Sequence, residues 1–150
     1  MATQEHGKDI VLFVDDEANI LSSLRRGLHF WAVERRVEIR TADSAIEALG
    51  FLEASAGQVV VIVSDLRMPV MLGSDFLLKV KDLYPWILTI LLTGFSEVQE
   101  LMKAVRAGIY SYILKPWDQD YLVAELDKCL EAQRFRADAA ARAKTVEEEL

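Results

Sequence analysis

The chain has 150 residues, enough for one domain and a tail. Hydrophobic residues make up 52% and charged residues 27%, which excludes wholesale disorder. Seventeen basic against 24 acidic side chains give a net charge of -7, and with no basic cluster this excludes direct nucleic-acid binding as an expectation.

Residues 1–8 are polar and read as a flexible start, with no signal-peptide stretch. Ile10–Val14 is a continuous apolar run, as in a strand buried on both faces. Ile20, Leu21, Leu24 and Leu28 then repeat at helical spacing. Val37–Thr41 alternates apolar and polar, which suits an edge strand with one wet face. Ser44-Ala45-Ile46-Glu47 is a capping box opening a helix with Ala48, Leu49 and Leu52. Val59–Val63 is a second apolar strand, followed by a stripe of Phe76, Leu77, Val80 and Leu83. Ile87–Leu92 is a third. After it a second capping box, Ser96-Glu97-Val98-Gln99, opens a helix with Val98, Leu101, Met102 and Val105 on one face and Gly108 past its end. Ser111–Leu114 is the last strand, and Asp118 caps a helix carrying Leu122, Leu126 and Leu130.

Strand and helix thus alternate five times. That order predicts an α/β fold: a five-stranded parallel sheet, flavodoxin-like and doubly wound, in the order 2-1-3-4-5. From Glu131 the chain is rich in Ala, Arg and Glu with no Gly or Pro, and it reads as a continuation of the last helix. Helix from Asp118 to Leu150 spans 33 residues. At that length it is roughly 50 Å long, too long to pack on one small domain. A heptad seam through Leu122, Leu126 and Cys129 meets Gln133 and Arg136, so a coiled coil competes with a solvated tail. Cys129 is the single cysteine and closes no internal disulfide. No run reaches the roughly 18 apolar residues of a membrane span. The cytoplasm is the expected compartment.

Several polar residues fall at carboxyl ends of these strands: Asp15 and Asp16 after the first, Asp65 after the third, Thr93 after the fourth, Lys115 after the fifth. That edge of an open α/β sheet is where chemistry sits. Each residue alone has an ordinary explanation as a cap, a turn or a strand stop. Together, in this order, they predict one site. Three converging carboxylates repel one another unless a divalent cation sits among them, and oxygen ligands suit Mg²⁺. A cation, a lysine and a hydroxyl around one carboxylate suit phosphoryl transfer, with the carboxylate as nucleophile.

Phe13-Val14-Asp15-Asp16-Glu17, Val63-Ser64-Asp65-Leu66-Arg67-Met68-Pro69, Leu92-Thr93-Gly94 and Tyr112-Ile113-Leu114-Lys115-Pro116 resemble the receiver domains of two-component response regulators. The resemblance covers Asp9 to Gln133 and implies a CheY-like fold. It implies that Asp65 is the phosphoacceptor, charged by a sensor histidine kinase or a phosphotransfer protein. Asp16, Asp65 and the backbone carbonyl of Arg67 would hold Mg²⁺, with Asp15 reaching it through water. Lys115 would contact the phosphoryl group, Thr93 would swing toward it, and Tyr112 would follow inward as the aromatic switch. Arg67 and Phe95, two residues after Asp65 and Thr93, would tune phosphoryl lifetime. Phe95 is expected to exclude water, and the Arg67 guanidinium to reach a phosphoryl oxygen. The output surface would be the fourth helix, fifth strand and fifth helix. Residues 9–133 would form the receiver and 134–150 a helical extension toward an output domain. A homodimer would use the last helix or that extension.

The sequence departs from the family in the apolar turn Val70-Met71-Leu72-Gly73. Trp117 after Lys115-Pro116 resembles a receiver subgroup with varied output modules, or is a partly buried aromatic at the last helix. An aspartyl-phosphate phosphatase of the haloacid-dehalogenase type is the competing enzyme reading. It needs a second Asp as general acid two residues after the nucleophile, where this chain has Arg67. A flavin-binding domain needs a phosphate loop where Asp15-Asp16-Glu17 would repel phosphate. A receiver that is never phosphorylated is the third alternative, and no pocket residue is missing to favour it.

Overall fold

A computed structural model describes residues 7–150, apart from the side chain of Phe95. The expected flexibility of residues 1–8 concerns positions that mostly lie outside the described residues. Five strands, β1 (Asp9–Val14), β2 (Val37–Ala42), β3 (Val59–Asp65), β4 (Leu88–Thr93) and β5 (Ser111–Leu114), form one parallel sheet in the order β2-β1-β3-β4-β5. The helices are α1 (Ala18–Arg35), α2 (Ala45–Ser55), α3 (Gly73–Leu83), α4 (Val98–Ala107) and α5 (Gln119–Glu149). This is the fold expected from the alternation of apolar runs and helical stripes.

Successive residues of β1 face opposite sides of the sheet and build two cores. Ile10, Leu12 and Val14 pack with Ala48 and Leu52 of α2, Phe76, Leu77 and Val80 of α3, and Leu101 and Ala104 of α4. Val11 and Phe13 pack with Leu24, Leu28 and Trp31 of α1 and Leu122, Leu126 and Cys129 of α5. Phe76 is fully buried, so Phe76→Ala should cost about 3–5 kcal/mol. β2 is the wet edge, with Glu38 and Arg40 exposed.

The caps follow the chemistry of the sequence. Ser44 Oγ accepts from the Glu47 N–H (3.0 Å), while Glu47 reaches back to the Asp43 N–H (3.2 Å). Asp118 Oδ1 accepts from the N–H groups of Asp120 and Tyr121. Gly108 ends α4 with φ 103. The second capping box does not form: α4 starts at Val98, with Glu97 at the N-cap and no side-chain cap hydrogen bond.

Two faces differ from the periodicity. In α4, three of the four residues of the expected face, Val98, Met102 and Val105, are exposed, while the fourth, Leu101, is buried together with Ala104. In α5, Leu122, Leu126 and Cys129 are buried on the sheet, so they are not a free coiled-coil seam. Gln133 and Arg136 continue that face, and their polarity has a use. Gln133 Nε2 donates to the carbonyls of Val60 (2.8 Å) and Trp86 (2.7 Å), and Arg136 Nη1 donates to Trp86 (3.0 Å). These bonds tie the helix to the amino-terminal edge of the sheet. Beyond Gln133 every residue of the helix is exposed.

Candidate functional site

The carboxyl edge of the sheet gathers the predicted residues. β1 hands off to Asp15, whose backbone N–H donates to Ala42 O (3.1 Å) and whose Oδ1 accepts from the Glu17 N–H (2.8 Å). That local turn fixes a buried carboxylate at the mouth of α1. Asp65 ends β3, and β3 neighbours β1, so the two strand ends bring Asp65 beside Asp15 and Asp16. Ligand oxygens of Asp15, Asp16 and Asp65 all lie within 4.8 Å of one another. Asp15 and Asp65 are buried and Asp16 is exposed.

Lys115 enters from the other side. Its N–H donates to the Thr93 carbonyl (2.7 Å), which locks the end of β5 to β4. Its Nζ donates to Asp65 Oδ1 (2.9 Å) and Asp15 Oδ2 (3.3 Å). One ammonium against three carboxylates leaves net negative charge in a half-buried pocket. A small divalent cation fits that donor set. Burial pushes the Asp65 carboxyl above its ordinary range, and the charges of Asp15 and Asp16 add to this against Lys115. Burial alone lowers Lys115, but its bonds to Asp65 and Asp15 outweigh this and hold the ammonium above its usual value.

Thr93 is 1% exposed, and among the described residues its Oγ1 has no hydrogen-bond partner. A buried hydroxyl without a partner is costly, so this one is open to an acceptor that enters the pocket. The structure therefore brings Asp15, Asp16, Asp65, Thr93 and Lys115 to one place.

The remaining predicted residues stand differently. Tyr112 lies on β5 beside Leu91, 40% exposed, at the surface and not inside. The Arg67 guanidinium, expected toward the phosphoryl site, is paired with Glu97 instead. Phe95 opens a 3-10 turn, Phe95–Glu97, but its side chain lies outside the described residues, and with it the expected shielding role. Trp117 is half-buried and packs against the α1–α5 core.

Three features leave little mark in the sequence. Glu97 lies inside the expected capping box, and nothing in a linear sequence pairs it with Arg67. Gly73 lies so close to Asp65 that a Cβ would collide with the Asp65 carbonyl oxygen; a glycine four residues after Pro69 was the available signal. Val70 adopts φ 74, a conformation a β-branched residue rarely takes.

The comparisons agree with this geometry. A family model described as "Response regulator receiver domain" matches residues 11–127. The hydrogenase transcriptional regulatory protein HoxA of Cupriavidus necator is 37% identical over 129 residues, covering 85% of this chain and 25% of that protein. The DNA-binding transcriptional regulator NtrC of Klebsiella pneumoniae is 30% identical over 123 residues, 82% of this chain and 25% of that protein. The chain thus spans about a quarter of the length of these curated relatives. Among solved structures, the signal receiver domain of an HD domain-containing protein from Pseudomonas fluorescens Pf-5 is 30% identical with a TM-score of 0.78, covering 88% of this chain and 93% of that one. A response regulator receiver domain protein from Clostridium thermocellum has a TM-score of 0.78 at 25% identity, covering 85% of this chain and 98% of that one. A family model over residues 11–127 and a relative 37% identical over 129 residues place the chain, with its acid cluster, lysine and buried threonine at adjoining strand ends, in the response regulator receiver domain family.

Proposed function

We propose that Asp65 is the phosphoacceptor, taking a phosphoryl group from a sensor histidine kinase or a phosphotransfer protein. The observation that carries this reading is the Lys115–Asp65 contact beside the unpartnered Thr93 hydroxyl. A carboxylate oxygen of Asp65 attacks phosphorus in line. The P–N bond of the phosphohistidine breaks, a P–O bond forms, and the departing imidazole takes up a proton. Lys115 and the Thr93 hydroxyl stabilise charge on the phosphoryl oxygens. Water later attacks phosphorus, breaks the new P–O bond and returns Asp65 with inorganic phosphate. Asp15, Asp16 and Asp65, with the backbone carbonyl of Arg67, would hold Mg²⁺. Bound there, it offsets the charge of the cluster and of the transferring group.

In this reading Thr93 turns to the phosphoryl group and Tyr112 moves into the space it leaves. That changes the α4–β5–α5 surface, where Val98, Met102, Val105 and Tyr112 are exposed. An attached or partner output module reads the change, and the names of the relatives make transcription control one such output. Residues 9–133 act as the receiver and 134–150 as a helical extension, in the cytoplasm. A homodimer through the extension is supported by an apolar row: Ala132, Phe135, Ala139, Ala143, Val146 and Leu150 recur at spacings of three and four, an 11-residue period.

Acetyl phosphate with Mg²⁺ should label the chain at one site. Asp65→Asn, nearly equal in shape, should abolish the label and keep the fold by circular dichroism. Full labelling of that variant would sink the assignment.

A further inference from the structure

Arg67 stands two residues past Asp65. Its Nε (3.0 Å) and Nη2 (2.6 Å) both donate to one oxygen, Oε2 of Glu97. Glu97 ends the 3-10 turn after Gly94 and occupies the N-cap position of α4. A carboxylate there ordinarily accepts from the first free N–H groups of the helix. This one makes no such bond and is turned to Arg67. The pair therefore joins the two loops that flank the acid cluster, β3–α3 and β4–α4. Its members are unequal: the Glu97 side chain is 17% exposed and that of Arg67 is 63%. The glutamate is the packed anchor, and the arginine is the end that can leave.

A phosphoryl group on Asp65 brings roughly 1.5 to 2 negative charges and three acceptor oxygens next to the loop that carries Arg67. A guanidinium bonds such a group in bidentate fashion, and an exposed ion pair is weak enough to exchange for it. We propose that Glu97 is a positioning residue: it holds the Arg67 guanidinium off the Asp65 site until a phosphoryl group arrives. The exchange then cuts the tie between the β3–α3 loop and the start of α4. This rests on the reading of Asp65 as phosphoacceptor and adds a route from the reacting atoms to α4. Arg67 supplies the exchanging charge, and Glu97 sets how readily it is supplied.

The test uses beryllofluoride, a phosphoryl mimic, with saturating Mg²⁺. Affinities are measured for wild type, Glu97→Gln, Glu97→Asp, Arg67→Ala and the double variant Arg67→Ala with Glu97→Gln. Glu97→Gln should bind the mimic about two- to fivefold more tightly, the range of an exposed ion pair. Glu97→Asp, which keeps the charge, should fall nearer wild type. The double variant should match Arg67→Ala, because the effect runs through the guanidinium. Amide exchange over 98–101 should be faster in Glu97→Gln before any mimic is added. Equal affinities in wild type and Glu97→Gln, or the same gain on the Arg67→Ala background, overturn the exchange and leave the Asp65 reading standing. A wild-type chain that binds no beryllofluoride overturns the Asp65 reading and the exchange together.

Discussion

Gly73, the first residue of α3, lies against the backbone of Asp65, and its N–H donates to the Leu66 carbonyl (2.8 Å). A Cβ at this position would meet the Asp65 carbonyl oxygen and the Leu66 Cα, and backbone cannot yield as a side-chain tip can. The absence of a side chain here is what lets α3 start directly beneath the proposed phosphoacceptor. Gly73→Ala should therefore destabilise the fold by about 1–3 kcal/mol, as overpacking does. It should also weaken Mg²⁺ binding, because the strain falls on the loop that carries Asp65 and Arg67. Denaturant unfolding and Mg²⁺ titration check the two effects, and an unchanged midpoint would contradict the close approach.

Three residues earlier the same loop carries strain of its own. Val70 holds φ 74 and is 89% exposed, so it gains little from burial to offset the left-handed backbone. That conformation costs an L-residue roughly 1–2 kcal/mol, and glycine adopts it freely at some cost in chain entropy. Val70→Gly should raise stability by about 0.5–1 kcal/mol, a melting temperature higher by about 1–4 °C. A lower melting temperature would show that the valine side chain has a packing role.

What could be read from the sequence follows from how each interaction is encoded. Strands β1, β3 and β4 were legible because a strand covered on both faces is a continuous apolar run. Asp15, Asp65, Thr93 and Lys115 were legible as a site because parallel strands bring their carboxyl ends to one edge. Of the expected α4 stripe only Leu101 is buried, because periodicity says which residues share a face, not which face a neighbour covers. Leu101 lies at the edge of that stripe with Ala104 beyond it, and these two join the core that holds Phe76, Leu77 and Val80 of α3. Gln133 and Arg136 looked like faults in a seam because their partners are backbone carbonyls, which leave no mark in a sequence. The Arg67–Glu97 pair joins residues 30 apart, with a strand between them.

A second pair of distant residues predicts a pH dependence. Arg35 on α1 makes a bidentate contact with Asp127 on α5, Nε to Oδ1 at 2.9 Å and Nη2 to Oδ2 at 3.1 Å, and Trp31 Nε1 adds a bond at 2.9 Å. The Arg35 hydrogen bond holds the Asp127 carboxyl below its ordinary value against a raising effect of burial, and Trp31 adds to the lowering. A depressed carboxyl gives stability that is present above the unfolded value, 3.8, and is lost as pH falls through the lower folded value. Asp127→Asn should cost about 1 kcal/mol at neutral pH, a charged hydrogen bond discounted for its partial exposure. The gap between variant and wild type should close in acid below the folded value. A gap of equal size at both pH values would remove the Asp127 charge as its source.

The same helix carries the last prediction. Past Leu130, α5 is held to the sheet by Gln133 and Arg136 on the Val60 and Trp86 carbonyls, and the rest of it is solvated. Phe135 is 72% exposed, Val146 56% and Leu150 100%, all in the row that also holds Ala132, Ala139 and Ala143. This row lies to one side of the Gln133–Arg136 face, so pairing along it leaves the bonds to the sheet intact. An 11-residue period drifts little around a straight helix, so two copies can meet along the whole row with slight right-handed winding. Alanine at half the positions keeps the buried area small, and the association should be weak, with a dissociation constant on the order of micromolar. Light scattering over a concentration series should show mass rising toward a dimer. Phe135→Asp and removal of residues 134–150 should each hold the chain monomeric. Lys144→Ala, off the row, should not. A monomer at every concentration up to about 0.1 mM would leave the row a solvated face. If Gln133→Ala with Arg136→Ala weakens dimerisation while the row is intact, the fixed exit direction of the helix also contributes to pairing.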